Sequence, residues 1–202
     1  MNGQKPRSKG RERLFTVFFM FAVTVVFVAA VSAAQLFARD AIKRNESLFL
    51  KRSVLAAAGI AVPADGAAVE KLYAERVHAA DGRYYRVTRD DGGVVFVFTR
   101  RGTGLWGPID AHVGLDATLD RLTGVDFFAH GETPGLGARI SEPWFTEQFR
   151  GRKGPLLPQP EGTGAADGLF DAITGATVTT KAAGDIVNGV IADAPGIVGG
   201  GR

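Results

Sequence analysis

The chain contains no cysteine, and only three histidines, two methionines and two tryptophans among its 202 residues. Without thiols there is no disulfide, no thiolate-held iron–sulfur cluster, no haem attached through C-x-x-C-H and no cysteine nucleophile. His78, His112 and His130 are scattered and no H-E-x-x-H occurs, so a dedicated metal site is not expected. Any redox role must use a cofactor of another kind. The net charge is only +3, and Lys5, Arg7, Lys9, Arg11 and Arg13 crowd the first thirteen positions. The remainder is close to neutral, which argues against a nucleic-acid surface. A chain of 202 residues accommodates one ordinary domain plus a tail or an anchor.

Charge is also missing from residues 14–34, a run of twenty-one. That length spans a bilayer core of about 30 Å, and Thr16, Thr24 and Ser32 can bond back to their own helix. A transmembrane helix is therefore expected over 14–36, preceded by a basic tail over 1–13. The positive-inside rule puts that tail in the cytoplasm and the rest of the chain outside it, with Arg39, Lys43 and Arg44 softening the asymmetry. The competing reading is a cleaved signal peptide ending near Ser32-Ala33-Ala34, but a secretory apolar region is usually only about 7–15 residues long. Residues 37–60 keep a helical composition, as a stalk stopped by Gly59, a natural C-terminal cap.

Beyond the stalk, a helix follows Asp65-Gly66, with Val69, Leu72, Tyr73 and Val77 on one face. Segments 83–88 and 94–99 are rich in β-branched and aromatic residues around a glycine-containing turn, the pattern of a hairpin. Residues 100–104 read as a glycine-rich loop, and further strands are expected over 109–115 and 122–129. A short helix capped by Ser141 reaches Phe149, and 151–168 is a surface connection. The last helix runs to about Ala192, followed by a flexible tail over 193–202. The fold expected for 61–192 is α+β, a small, mainly antiparallel sheet with flanking helices, tethered by one N-terminal transmembrane helix.

Chemistry concentrates in three stretches. In the last, Asp171-Ala172-Ile173-Thr174-Gly175-Ala176-Thr177 precedes apolar residues at Ala183, Ile186, Val187, Val190 and Ile191, the spacing of one helical face. The helix should begin at Thr179 or Thr180, with either as N-cap. Its free N–H groups and positive dipole end make a ready phosphate site, with Thr177 at the mouth. A plain turn and cap would look similar. The second stretch, His130-Gly131-Glu132-Thr133-Pro134-Gly135-Leu136-Gly137, must take unusual backbone angles. His130 and Glu132 are read as structural rather than as an acid–base pair. The third is Gly102-Thr103-Gly104-Leu105-Trp106-Gly107-Pro108, where Trp106 packs either near a ligand or, the reading favoured here, in the core.

The last stretch resembles D-x-x-[ST]-G-A-[TS], the sequence at which a bacterial flavin transferase esterifies FMN phosphate to a threonine. The second resembles the H-x-E-T-P-G-L-G loop of the same domain. The third resembles the G-x-G-L-W segment of the FMN-bearing subunit found in the Na⁺-translocating NADH:quinone reductase. Together, behind one membrane helix, they resemble the FMN-binding domain family shared by that protein and its counterpart in the Rnf electron-transport complex. The resemblance implies FMN held covalently through Thr177, with Asp171, Thr174, Gly175 and Ala176 forming the attachment segment. Glu132, Thr133, Gly135, Leu136, Gly137 and Trp106 would line the cofactor. It further implies an electron carrier, not catalytic alone, on the periplasmic or extracytoplasmic side of a bacterial cell membrane. Its partners would be the other subunits of a redox complex, the flavin transferase and the lipid bilayer, with no nucleic acid. The alternatives are a free-standing anchored flavin reductase, which would need a separate electron donor, and a non-redox anchored binding module.

Overall fold

A computed structural model describes residues 9–80, 82–164 and 166–199. The first part of the expected basic tail, residues 1–8, and the end of the expected C-terminal tail, 200–202, lie outside the described residues. The chain divides into two units, 1–46 and 47–202.

The first unit holds most of helix α1 (Lys9–Ala57), a helix long and apolar enough to cross a membrane by length and composition. Phe15, Phe18, Phe21, Val26 and Phe27 are all exposed, as the side chains of a lipid-facing helix would be. Thr16 and Thr24 donate their hydroxyls to the carbonyls of Glu12 and Met20, which removes the cost of carrying them in an apolar run.

The second unit contains the last turns of α1. Where the sequence suggests a stalk over 37–60, residues from Ser47 onward belong to the globular unit, and Val54, Leu55 and Ala57 are buried in it. The helix stops as expected at Gly59, which takes φ +74°. Gly59 N–H donates to Ala56 O and Ile60 N–H to Leu55 O, the paired bonds of a Schellman cap. Helix α2 (Gly66–Arg76) is capped by Asp65, whose carboxylate accepts from Ala68 N–H at 2.9 Å. Val77, expected on the apolar face of that helix, instead opens strand β1 (Val77–Ala80).

Five strands follow in chain order as an antiparallel meander: β1, β2 (Tyr84–Thr88), β3 (Val94–Thr103), β4 (Pro108–Asp116) and β5 (Leu122–Ala129). The α+β expectation thus holds. The segment 100–104 is not the loop its glycines suggest, because β3 extends to Thr103 and Gly102 pairs with Ile109. Gly102 is small for another reason: a Cβ there would lie 2.5 Å from Ile186 Cγ1, on the helix packed above it. Gly102, Gly104 and Gly107 also have the G-x-G-x-x-G spacing of a dinucleotide turn. Here the segment joins two antiparallel strands, so it lacks the helix N-terminus that such a turn needs.

Alternate residues of the sheet point to two cores. On one face Phe98, Ile109, Ala111, Val113 and Phe127 meet the last helix and a short helical stretch. That stretch comprises a 3₁₀ turn (Gly137–Ser141), α3 (Pro143–Thr146) and a second 3₁₀ turn (Glu147–Phe149). On the other face Val87, Val95 and Val97 meet α1 and α2. Ser141 does not cap α3 as its position suggests; its hydroxyl donates to Phe127 O on β5. Two short parallel strands, β6 (Leu157–Gln159) and β7 (Leu169–Asp171), organise the connection over 151–168 that lacks periodicity in the sequence.

Helix α4 (Thr177–Gly199) buries Ala183, Ile186, Val187 and Val190, side chains worth about 1.5–3 kcal/mol each for the larger ones. It starts earlier than the apolar spacing indicates and ends later. At its far end Ala194 is buried, Ile197 and Val198 pack on the core, and Asp193 pairs with Arg100, so residues 193–199 are helical.

Candidate functional site

Residue Thr177 is the first of α4, and it is exposed. The first intrahelical bond is Thr180 N–H to Ala176 O, so the N–H groups of Thr177, Val178 and Thr179 precede the ladder. They sit at the positive end of a 23-residue helix whose first turn carries no acid. Neither Thr179 nor Thr180 is the N-cap. Both are buried inside the first turn, where Thr180 Oγ1 accepts from Ile173 N–H at 3.1 Å and Thr179 Oγ1 donates to Glu132 Oε2 at 2.6 Å. The helix begins early because these hydroxyls anchor its first turn, and the apolar period does not record them.

The turn leading into Thr177 is closed by Ala176 N–H donating to Ile173 O. Gly175 takes φ +79° at the third position, the place where a type II turn needs glycine. Thr174 and Gly175 are exposed and Ala176 is buried. Thr174 N–H donates to Glu161 Oε2 at 2.7 Å. Glu161 also accepts from Arg139, and this hydrogen bond, with those from Thr174, brings its carboxyl down to about 2.

Asp171 is buried. Its carboxylate accepts from Gln159 Nε2 at 2.8 Å, Gly162 N–H at 2.9 Å and Gly164 N–H at 3.1 Å. Burial opposes its ionisation, but these donors outweigh it and hold the carboxyl below its ordinary value. Asp171 thus shapes the loop that carries Glu161, and through it the turn at Thr174.

The loop 130–137 lies beside this turn: a Cβ on Gly175 would come within 3.1 Å of Leu136 Cδ2. Thr133, Gly135 and Leu136 are exposed, with Gly135 at φ +74°, while Glu132 and Gly137 are buried. His130 is occupied on both ring nitrogens. Ser141 gives its proton to Phe127 O and so accepts from His130 Nε2 at 2.9 Å, while Glu132 N–H donates to Nδ1 at 3.3 Å. Neither nitrogen is free for acid–base work, in keeping with a structural role.

Trp106 corrects the sequence reading that favoured the core. Its side chain is 70% exposed, yet it is held in place, with its indole N–H donating to Thr133 Oγ1 at 3.0 Å. Leu105, Trp106, Leu136 and Val178 are all exposed apolar residues from the three motif stretches. Arg100 and Arg101, by contrast, are engaged in ion pairs with Asp193 and Asp110. On the other side of Thr177 a groove of about 260 Å³ runs between α4 and β6, lined by Leu156, Leu157, Ala172, Lys181 and Gly184 among others. Sequence reasoning misses Glu161 and Gln159, which lie in the aperiodic connection and carry no local signal.

Residues 104–192 match the FMN-binding domain family. Among relatives, a Na(+)-translocating NADH-quinone reductase subunit of Chlamydia pneumoniae is 46% identical over 57 residues, 28% of this chain and 18% of that protein. An ion-translocating oxidoreductase complex subunit of Methanosarcina acetivorans is 34% identical over 110 residues, 54% of this chain and 56% of that protein. The chain thus spans from about a fifth to just over half the length of these curated relatives. In fold it is similar to the crystal structure of a Na(+)-translocating NADH-quinone reductase subunit from Parabacteroides distasonis. The TM-score is 0.66 at 22% identity, over 79% of this chain and 96% of that one. It is also similar to the crystal structure of Shewanella oneidensis NqrC, with a TM-score of 0.61 at 21% identity, over 79% of this chain and 98% of that one.

The donor set fits the cofactor named by the family. A phosphate group at the start of α4 would meet N–H groups that precede the helical ladder, with no acid in that turn, and the neighbouring exposed surface is apolar.

Proposed function

We propose that this protein is a covalent-FMN electron carrier, a subunit of a membrane oxidoreductase complex of the kind its relatives belong to. The observation that carries the reading is Thr177 itself: an exposed hydroxyl on the first residue of a long helix, preceded by the D-x-x-T-G-A-T sequence. In the attachment reaction the Thr177 oxygen attacks the phosphoanhydride of FAD, forming the phosphoester and releasing AMP, while the hydroxyl proton leaves with the base supplied by the transferase. The N-terminal N–H groups of α4 then stabilise the remaining phosphodiester charge. Bound FMN supplies reversible electron transfer. Leu136 and Trp106 offer the ring an apolar seat, and Thr133 and the N–H groups of loop 130–137 offer its polar edge hydrogen-bond partners.

The apolar run 14–36 serves as the membrane anchor, with 61–192 as the cofactor domain on the extracytoplasmic side, as the basic residues ahead of the run indicate. A covalent link suits that location, because a dissociated flavin would be lost. Coproduced with a flavin transferase, the full chain should be yellow and keep one FMN-sized mass on Thr177 after denaturation. T177V should lose that mass and T174V should keep at least part of it; a colourless wild-type protein overturns the reading.

A further inference from the structure

Resemblance alone makes Glu132 a candidate cofactor contact, but the structure gives it a different place. It is 6% exposed, beneath the surface that carries Thr177. One carboxylate oxygen, Oε2, accepts from Thr179 Oγ1 at 2.6 Å, and the other, Oε1, accepts from the backbone N–H of Trp106 at 3.2 Å. The space it occupies is made by two glycines from different stretches. A Cβ on Gly104 would fall 2.4 Å from Oε1, and a Cβ on Gly137 would fall 2.7 Å from both Oε2 and Thr179 Oγ1. One buried side chain therefore ties together the G-x-G-L-W segment, the loop 130–137 and the first turn of α4.

A carboxylate is a costly choice for such a place. Burying it needs strong donors, and an apolar residue of the same volume would generally stabilise the fold as well or better. What a carboxylate provides that an apolar residue does not is two acceptors facing opposite ways. Glutamine would supply only one. With its oxygen on the Trp106 N–H, its amide nitrogen would face Thr179, whose hydroxyl would have to turn round to accept, so glutamine keeps part of the link and an apolar residue keeps none of it.

The geometry points to Glu132 as the positioning residue of the cofactor site: it holds in one fixed arrangement the first turn of α4, which presents Thr177, and the backbone at Trp106, whose indole N–H is held by the adjacent Thr133. It touches neither phosphate nor ring. Through Thr179 it fixes the place of the phosphate anchor, and through Trp106 it fixes the ring's seat, so that the two are set together. This deepens the cofactor reading above and rests on it for what is held, though not for the coupling between Thr179 and Trp106.

The coupling is measurable before any flavin is attached. In the full chain in detergent, with Trp144 removed by W144F, the time-resolved emission anisotropy of Trp106 reports how firmly its indole is held. Wild-type Glu132 should give little fast local motion. E132M, of similar volume and with neither oxygen, should raise the fast component at least threefold, and so should T179V, a change on a different element that does not touch the indole. T179S, which keeps the hydroxyl, should behave as wild type, and E132M/T179V should be no looser than either single variant. Melting temperatures taken alongside test whether each variant is folded.

After labelling, E132M and T179V should lengthen the emission lifetime of the attached flavin relative to wild type. The proposal is overturned if T179V leaves the Trp106 decay unchanged, if T179S loosens it as T179V does, or if labelled variants keep the wild-type lifetime. A wild-type chain that takes up no flavin overturns the cofactor reading instead, and the anisotropy series still decides whether Glu132 couples the two elements.

Discussion

His112 makes the globular unit sensitive to mild acid, by an amount that can be worked out. Its side chain is 2% exposed, on the sheet face that receives the end of α1. Ser53 Oγ, on α1, lies 2.7 Å from Nδ1, the Phe128 ring stacks on the imidazole at 4.4 Å, and Tyr85 meets it edge-on. Burial lowers its pKa from 6.5 to about 4, against a smaller opposing pull from Asp110. The folded state thus keeps His112 unprotonated between those two values while the unfolded chain takes up a proton. Stability from this group is complete above the unfolded value and is lost as pH falls toward the folded one. At about 1.4 kcal/mol per unit, the full loss is about 3 kcal/mol, of which about 2 kcal/mol has gone by pH 5. Urea unfolding of the full chain in detergent, followed by tryptophan emission at pH 7.5, 6 and 5, measures it. Carboxylates titrate as well, so the quantity to compare is the pH dependence of wild type minus that of H112Q. A difference near zero between pH 7.5 and 5 would refute the reasoning.

Two further predictions concern how the site is held. A methyl group added in G114A would lie 2.1 Å from Ala57 O and 2.4 Å from Thr123 Oγ1. It would push the end of α1 off the sheet, at about 3 kcal/mol or more, visible as a lower thermal midpoint; an unchanged midpoint would show that α1 is not seated there. D171N replaces a carboxylate that accepts three donors with one oxygen and an amide that faces them, and should cost about 2–3 kcal/mol at neutral pH. The loop 160–164 should then exchange its amide hydrogens faster, whereas unchanged exchange would remove Asp171 from its role as organiser of the turn that leads into Thr177.

The elements that were legible in the sequence are those whose reason is local. The hairpin of β2 and β3, the bounds of β5, the Asp65 cap and the Gly59 stop each follow from residues within a few positions of one another. What was not legible depends on partners far along the chain. Gly102 looks like a loop residue until Ile186 is placed above it, and Thr179 looks like a cap until Glu132 is placed below it. The same distinction separates the site residues by role. Thr174, Gly175, Thr177, Thr133, Leu136 and Trp106 are exposed, whereas Asp171 and Glu132 are buried with their oxygens already occupied. A motif read as a string gives all of these residues equal standing. Burial divides them into a surface that can meet a flavin and two carboxylates that can only hold that surface in shape. Changes to the first group should therefore alter the flavin with little effect on folding, and changes to the second should alter both.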